Sequence, residues 1–571
     1  MRYLALATDY DGTLAEHGTV SSATLEALKR LRESGRRLIL VTGRELDDLI
    51  RVFPEYALFD RIVAENGALV FNPATREENV LGESPPEALL QRLAAADVTP
   101  LSVGRVILAT WSPHEKVVLE AIHALGLELQ VIFNKGAVMV LPSGINKAYG
   151  LRVALRELTL SRHNTVGVGD AENDHALLAE CEVGVAVANA LPMLQERADW
   201  VTRGARGEGV RELIAELLSS DLRELEPRLT RHDLQLGAYP DGTPVGISAY
   251  GRRVLVCGTS GSGKSTLVSA LLERTCEHGY QFCLVDPEGD FHGLNGALEL
   301  GDDQSAPKAD DAISVLRSGD DNLIVNLLAL ALDRRSEFLI QLLARCAELR
   351  ASTGRPHWFV IDEAHHMLPA VDVHLPDPIA HLPSGLLMIT VHPDKLAENV
   401  LQQIDTLVVV GKEPLEALET FARSVGRPIP KFDGDAALEP GEALIWSCRR
   451  DDVARRFRAA APKSERRRHH RKYAAGALGE DKSFYFRGPA QRLNLRAHNL
   501  MLFLQIGDGV DDDTWLHHLR QGDYSRWLRE AIKNDALADE VAGIERDSGS
   551  NAAGSRQRIR EAIEKVYTLP A

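Results

Sequence analysis

Asp9-Tyr10-Asp11-Gly12-Thr13 closes a short apolar run, Tyr3 to Thr8. Two carboxylates one residue apart point the same way from an extended chain, so both can face one metal or one phosphate. A bound divalent cation relieves their repulsion and lets a carboxylate approach an anionic phosphoryl group. Taken alone, the tetrapeptide Asp9 to Gly12 is equally consistent with an Asx turn after a strand. Three further stretches shift the balance. Arg37 to Val41 is a second apolar run, ending in Thr42-Gly43-Arg44. Lys147 follows in Pro142-Ser143-Gly144-Ile145-Asn146-Lys147. Thr165 to Val168 then runs into Gly169-Asp170-Ala171-Glu172-Asn173-Asp174. Carboxylates, a hydroxyl, an ammonium and more carboxylates thus come in a fixed order, which is the equipment of phosphoryl transfer.

A second set of residues also handles phosphate. Gly258-Thr259-Ser260-Gly261-Ser262-Gly263-Lys264-Ser265-Thr266 lies between the apolar run Arg253 to Cys257 and a helical-looking Leu267 to Thr275. This is a complete phosphate-binding loop in its strand–loop–helix setting. Gly258, Gly261 and Gly263 let backbone N–H groups converge on a β-phosphate, Lys264 reaches the β and γ phosphates, and Ser265, followed by Thr266, ligates Mg²⁺. Trp358 to Ile361 runs into Asp362-Glu363-Ala364-His365-His366. Asp362 would hold the Mg²⁺ shell and Glu363 would polarise an attacking water. ATP is the expected ligand, and its hydrolysis the expected reaction. Gln281 to Val285 ends in Asp286-Pro287-Glu288-Gly289-Asp290, and Leu386 to Thr390 supplies a strand where a γ-phosphate sensor would sit.

Elements able to position these residues need several cores. The 571 residues correspond to about three to four domains. A composition of 44% hydrophobic and 26% charged residues is ordinary for globular chains and excludes wholesale disorder. The net charge of −17 repels polyanions unless basic residues gather locally. They do so once, at Lys463, Arg466, Arg467, Arg468, Arg471 and Lys472, a run read either as a solvated face or as a nucleic-acid contact assisted by Tyr473, Phe484, Tyr485, Phe486 and Arg487. Those aromatics are read more simply as core. Six widely spaced cysteines show no zinc-ligand spacing and are read as reduced thiols. The N-terminus lacks a leader pattern and no apolar stretch approaches membrane length, so a cytoplasmic protein without membrane contact is expected. Amphipathic helices are predicted over Leu493 to Ile506 and Asp513 to Ile532, the second capped by the acidic run from Asp511.

The order DxDGT, Thr, Lys, GDxxND resembles the haloacid dehalogenase superfamily of phosphohydrolases, in its Cof-like branch with a small α+β cap. That resemblance covers residues 1 to about 218. It implies a Rossmann-like core at 1–80 and 135–218, a cap at 81–134 and a phosphorylated small molecule as substrate. It also implies Asp9 as nucleophile and Asp11 as general acid and base, with Thr42 and Lys147 binding the phosphoryl oxygens. Asp9, the carbonyl of Asp11, Asp170 and, behind them, Asp174 would hold Mg²⁺; Arg44 and Glu65-Asn66-Gly67 are rim candidates, Asn66-Gly67 reading equally as a turn. After a linker at 219–233, residues 234–460 resemble the HerA and FtsK branch of P-loop ATPases, an α/β fold whose members imply a hexamer. Where that family usually carries Ser-Gln-Arg-Pro, this chain reads Thr390-Val391-His392-Pro393, which bears on motor activity and leaves nucleotide binding untouched. Residues 461–571 are read as a helical accessory domain. Three functions compete: a small-molecule phosphatase gated by an ATPase, a nucleic-acid end-processing phosphatase with a DNA-stimulated ATPase, and an ATP-dependent scaffold whose first domain mainly binds.

Overall fold

The computed structural model describes residues 1–319, 321–368, 383–432, 437–449, 451–463, 483–489, 491–532, 534–547 and 551–566. Two compact units account for the chain: Met1–Gly258 with Lys264–Ala461, and Pro462–Ala571 with Thr259–Gly263.

The first unit holds two large α/β sheets. Its eight-stranded sheet runs in the order Trp200–Val201, Val183–Ala186, Thr165–Gly169, Ala5–Thr8, Arg37–Val41, Arg61–Ala64, Leu69–Asn72, Glu77–Val80. The strands are parallel as far as Arg61–Ala64, and each of the last two pairs antiparallel with the strand before it. Runs such as Leu38 to Val41 are apolar at every position because helices cover both faces, and all four residues are fully buried. Thr8 lies opposite both Val168 and Leu40. That register brings Asp9, Thr42 and Asp170 out together at the C-terminal edge. A separate four-stranded antiparallel sheet, Ser102–Val103, Leu108–Trp111, Ala137–Pro142, Leu129–Asn134, carries the helices Glu87–Ala95 and Glu115–Ala124.

The second sheet has twelve strands, and the run from Thr406–Val410 through Arg253–Cys257, Leu386–Thr390, Trp358–Ile361, Phe282–Asp286 and Asn322–Asn326 to Ala297–Leu300 is parallel throughout. The two sheets meet at the N-terminal edges of their strands. His163, just before Thr165–Gly169, places Nε2 2.8 Å from the His278 carbonyl. Tyr280, just before Phe282–Asp286, donates its hydroxyl to Glu182 at 2.9 Å and stacks on His163 at 3.6 Å. Arg2 pairs with Glu182 at 2.6 Å and lies over the Tyr250 ring. The chain between the sheets is packed: Leu222, Leu225 and Leu229 belong to the first core.

The second unit pairs Phe484–Phe486 with Leu495–Ala497 and packs helices Leu500–Gly509, Asp512–Gln521, Asp523–Glu530, Asp535–Glu545 and Ala552–Val566 around them. Phe484, Phe486, Phe503, Trp515 and Tyr524 are core residues there. Two helix expectations need correction. Residues from Leu493 begin with a strand, and the helix starts only at Leu500, where the Asn499 side chain accepts from the Leu502 N–H. The predicted helix Asp513 to Ile532 is two helices, because Gly522 adopts a left-handed φ of 68° that ends the first. Asp511 caps as expected, accepting from the Thr514 N–H at 2.8 Å. All six cysteines are free. Among the described residues no helix is long and apolar enough to cross a membrane.

Candidate active site

Asp9 sits one residue past the strand Ala5–Thr8, tied to the sheet by its N–H to the Val168 carbonyl at 3.0 Å. Its Oδ1 meets Lys147 Nζ at 2.6 Å. Lys147 opens the helix Lys147–Glu157, and the Asn146 side chain caps that helix by accepting from the Tyr149 N–H at 3.0 Å. The same ammonium reaches Asp174 Oδ1 at 2.6 Å, while Asp174 Oδ2 accepts from the backbone N–H groups of Asp170 and Ala171 at 2.9 and 3.0 Å. Ligand atoms of Asp9, Asp170 and Asp174 all lie within 4.8 Å of one another.

This is a crowded, dry cluster. Burial and the nearby Asp174 carboxylate push the Asp9 carboxyl upward, against the pull of Lys147; burial also raises Asp170. Burial opposes the charge on Lys147, but Asp174 and Asp9 outweigh it and hold the ammonium above the ordinary lysine value. Carboxylates this close and this buried form a hard-oxygen donor set that lacks sufficient positive charge.

Thr42 is fully buried beside them and its hydroxyl accepts from the Arg44 N–H at 3.1 Å. Asp11 lies apart from the trio: its side chain is 45% exposed and gripped by Arg44 through two bonds of 2.7 Å. Arg44 also pairs with Asp48 at 2.6 Å. Glu65, another rim candidate, is fully buried and accepts from the backbone N–H groups of Arg105, Val106 and Ile107 at 2.8–3.0 Å, tying the two sheets of this region together. Three contacts of Asp170 were not read from the sequence. Lys135 Nζ lies 2.5 Å from Oδ2, the Thr13 hydroxyl 3.3 Å from Oδ1, and the Asn189 amide 3.3 Å from Oδ2. Thr13 stands inside the DxDGT stretch and was legible in principle; Lys135 and Asn189 carry no local signal.

At the second sheet, Gly258 follows Arg253–Cys257, and Lys264 opens the helix Lys264–Glu277 with Nζ 3.0 Å from the Gly258 carbonyl. Gly261 and Gly263 take left-handed φ values of 75° and 100°, which side chains would resist. Ser265 and Thr266 lie in the first turn of that helix. Val285 lies opposite Ile361, so Asp286 and Asp362 emerge at one edge, and both are buried. Burial, then Asp286 and Glu363, lift the Asp362 carboxyl well above the usual range. Glu363 holds a left-handed φ of 43°. His365 Nδ1 lies 3.3 Å from Glu363 and 3.1 Å from the Thr390 hydroxyl. Of the basic run, Lys463 is described; residues 464–472 and Tyr473 lie outside the described residues.

Comparison with known proteins divides the first unit between residues 214 and 235. A family model for haloacid dehalogenase-like hydrolases matches residues 6–95 and 114–214, and one for the central domain of the helicase HerA matches residues 235–350. The chain is similar to phosphoglycolate phosphatase 2 of Saccharolobus solfataricus, 32% identical over 229 residues that make up 38% of this chain and 94% of that protein. It is similar also to the phosphoglycolate phosphatase of Methanothermobacter thermautotrophicus, 32% identical over 221 residues, 37% of this chain and 96% of that one. Among solved structures, a haloacid dehalogenase-like hydrolase from Bacteroides thetaiotaomicron aligns at 21% identity and a TM-score of 0.33, covering 38% of this chain and 99% of its own.

Proposed function

We propose, from the premise that this chain belongs to the haloacid dehalogenase-like hydrolase family, that residues 1–218 form a Mg²⁺-dependent phosphomonoester hydrolase acting on a small organic phosphate, with phosphoglycolate the first candidate. The observation that carries the reading is the convergence of Asp9, Asp170 and Asp174, from separate stretches, to within 4.8 Å around the ammonium of Lys147. Asp9, Asp170 and the backbone carbonyl of Asp11 would hold Mg²⁺, with Asp174 behind them; the ion would supply neutralisation of phosphoryl charge.

The chain's own residues do the rest. Asp9 attacks phosphorus and forms an aspartyl phosphate, which divides one hard hydrolysis into two easier steps. Asp11 gives a proton to the departing oxygen and then takes one from the water that cleaves the intermediate. Thr42 and Lys147 hold the phosphoryl oxygens in line. Residues 81–134 act as the cap that selects the remainder of the substrate. The relatives named phosphoglycolate phosphatases support that candidate.

Residues 234–460 bind and hydrolyse ATP through Gly258, Gly261, Gly263, Lys264, Ser265, Thr266, Asp362 and Glu363. Val391 and His392, where the HerA and FtsK branch usually carries Gln and Arg, speak against a coupled motor. Phosphate release from phosphoglycolate with Mg²⁺ tests the reading. EDTA should abolish it, and Asp9→Asn should lower it by at least about three orders of magnitude. Release from DNA or RNA termini alone would transfer the reading to nucleic-acid end processing. ATP hydrolysis without metal-dependent release from any ester would leave a scaffold.

A further inference from the structure

The turn between Leu129–Asn134 and Ala137–Pro142 lies at the tip of a hairpin in the four-stranded sheet. There Lys135 takes a left-handed φ of 48° and crosses to the larger sheet, where Nζ lies 2.5 Å from Asp170 Oδ2. The ammonium stands so close over the loop after Asp9 that a Cβ placed on Gly12 would meet it at 2.8 Å. Its partner carboxylate is 1% exposed, whereas the Lys135 side chain is 44% exposed. A residue at the tip of the four-stranded sheet therefore occupies the inner carboxylate of the phosphoryl site and is still open to whatever enters.

Charge decides what this contact means. Three carboxylates, those of Asp9, Asp170 and Asp174, face two ammoniums, those of Lys147 and Lys135. A divalent cation on Asp170 would satisfy that carboxylate and repel the lysine. Lys135 remains tethered at the exposed side, away from the buried floor formed by Asp9, Thr42 and Lys147. The phosphoryl end of a substrate goes to that floor, so its other end extends toward the hairpin tip.

We propose that Lys135 is a specificity residue: displaced from Asp170 by the bound cation, it pairs with a carboxylate on the leaving portion of the substrate. The substrate class is then a small phosphomonoester bearing a second anionic group. This rests on the phosphatase reading above.

The test uses the full chain. Calorimetric titration with Mg²⁺ alone should show Lys135→Met binding about three- to tenfold more tightly than the unaltered protein, because no resident ammonium competes. In steady-state assays Lys135→Met should raise KM for phosphoglycolate about tenfold, leave kcat nearly constant and move KM for p-nitrophenyl phosphate less than about twofold; Lys135→Arg should restore the difference. Unchanged Mg²⁺ affinity would overturn the displacement, and equal KM increases for both esters would overturn the pairing. If the unaltered protein cleaved neither ester, the phosphatase reading would fall by itself, and the Mg²⁺ titration would still decide whether lysine and cation compete for Asp170.

Discussion

His357 is buried with both ring nitrogens committed: Nδ1 accepts from the Gln281 N–H at 2.9 Å, and Nε2 donates to the Ser161 hydroxyl at 3.0 Å. One acceptor and one donor make a neutral ring, and burial holds its pKa well below the ordinary histidine value. Burial likewise brings His232 down to about 4, against the pull of Glu182. Glu182 lies well below the usual carboxylate range: burial would raise it, but the hydrogen bond and charge of His163, with Arg2, outweigh that. Both shifts cost stability on acidification, in different windows. A histidine kept neutral in the fold takes up a proton more readily unfolded, so stability falls with pH through the window from about 6.5 down to about 4. The Glu182 contribution is complete above its unfolded value of 4.5 and is lost only at lower pH. The melting temperature should therefore already decline between pH 7 and pH 5. His232→Gln should make that decline shallower by about 2–4 °C; parallel pH–Tm curves for the two proteins would contradict the assignment.

The helix Lys147–Glu157 depends on how closely a turn lets it approach. Gly67 has a φ of 106°, and a Cβ there would stand 1.9 Å from the Asn146 carbonyl oxygen. Asn146 caps the helix and precedes Lys147, so any side chain at residue 67 displaces the ammonium from Asp9 and Asp174. Gly67→Ala should cost about 2–4 kcal/mol and lower kcat at least tenfold, as thermal melting and phosphate release would show; an unchanged Tm with full activity would refute this. The same element marks what the sequence disclosed. The strand ends were legible because runs such as Leu38 to Val41 are apolar at every position and stop at a polar residue. That Asn66-Gly67 was a close approach rather than a simple turn depended on a contact with residue 146, which no local pattern records. Lys135 and Asn189 escaped for the same reason: each reaches Asp170 from a distant loop. The break at Gly522 was hidden because apolar spacing continues on both sides of it.

The two sheets of the first unit abut at the N-terminal edges of their strands, so the edge bearing Asp9 and Asp170 and the edge bearing Lys264 and Asp362 face opposite ways. Neither site can hand a product directly to the other. Lys264→Ala should therefore abolish ATP hydrolysis while phosphatase kcat at saturating substrate stays within about twofold. A parallel collapse of both activities would show that the strands between them transmit the state of one site to the other. The linked edges also bear on dissection of the gene. A cut at residue 230 would strip Tyr280, His278 and His357 from Glu182, His163 and Ser161, baring a carboxylate and imidazoles adapted to a dry seam. Either fragment would then carry an ionic scar, and its solubility would report the surgery rather than the enzyme.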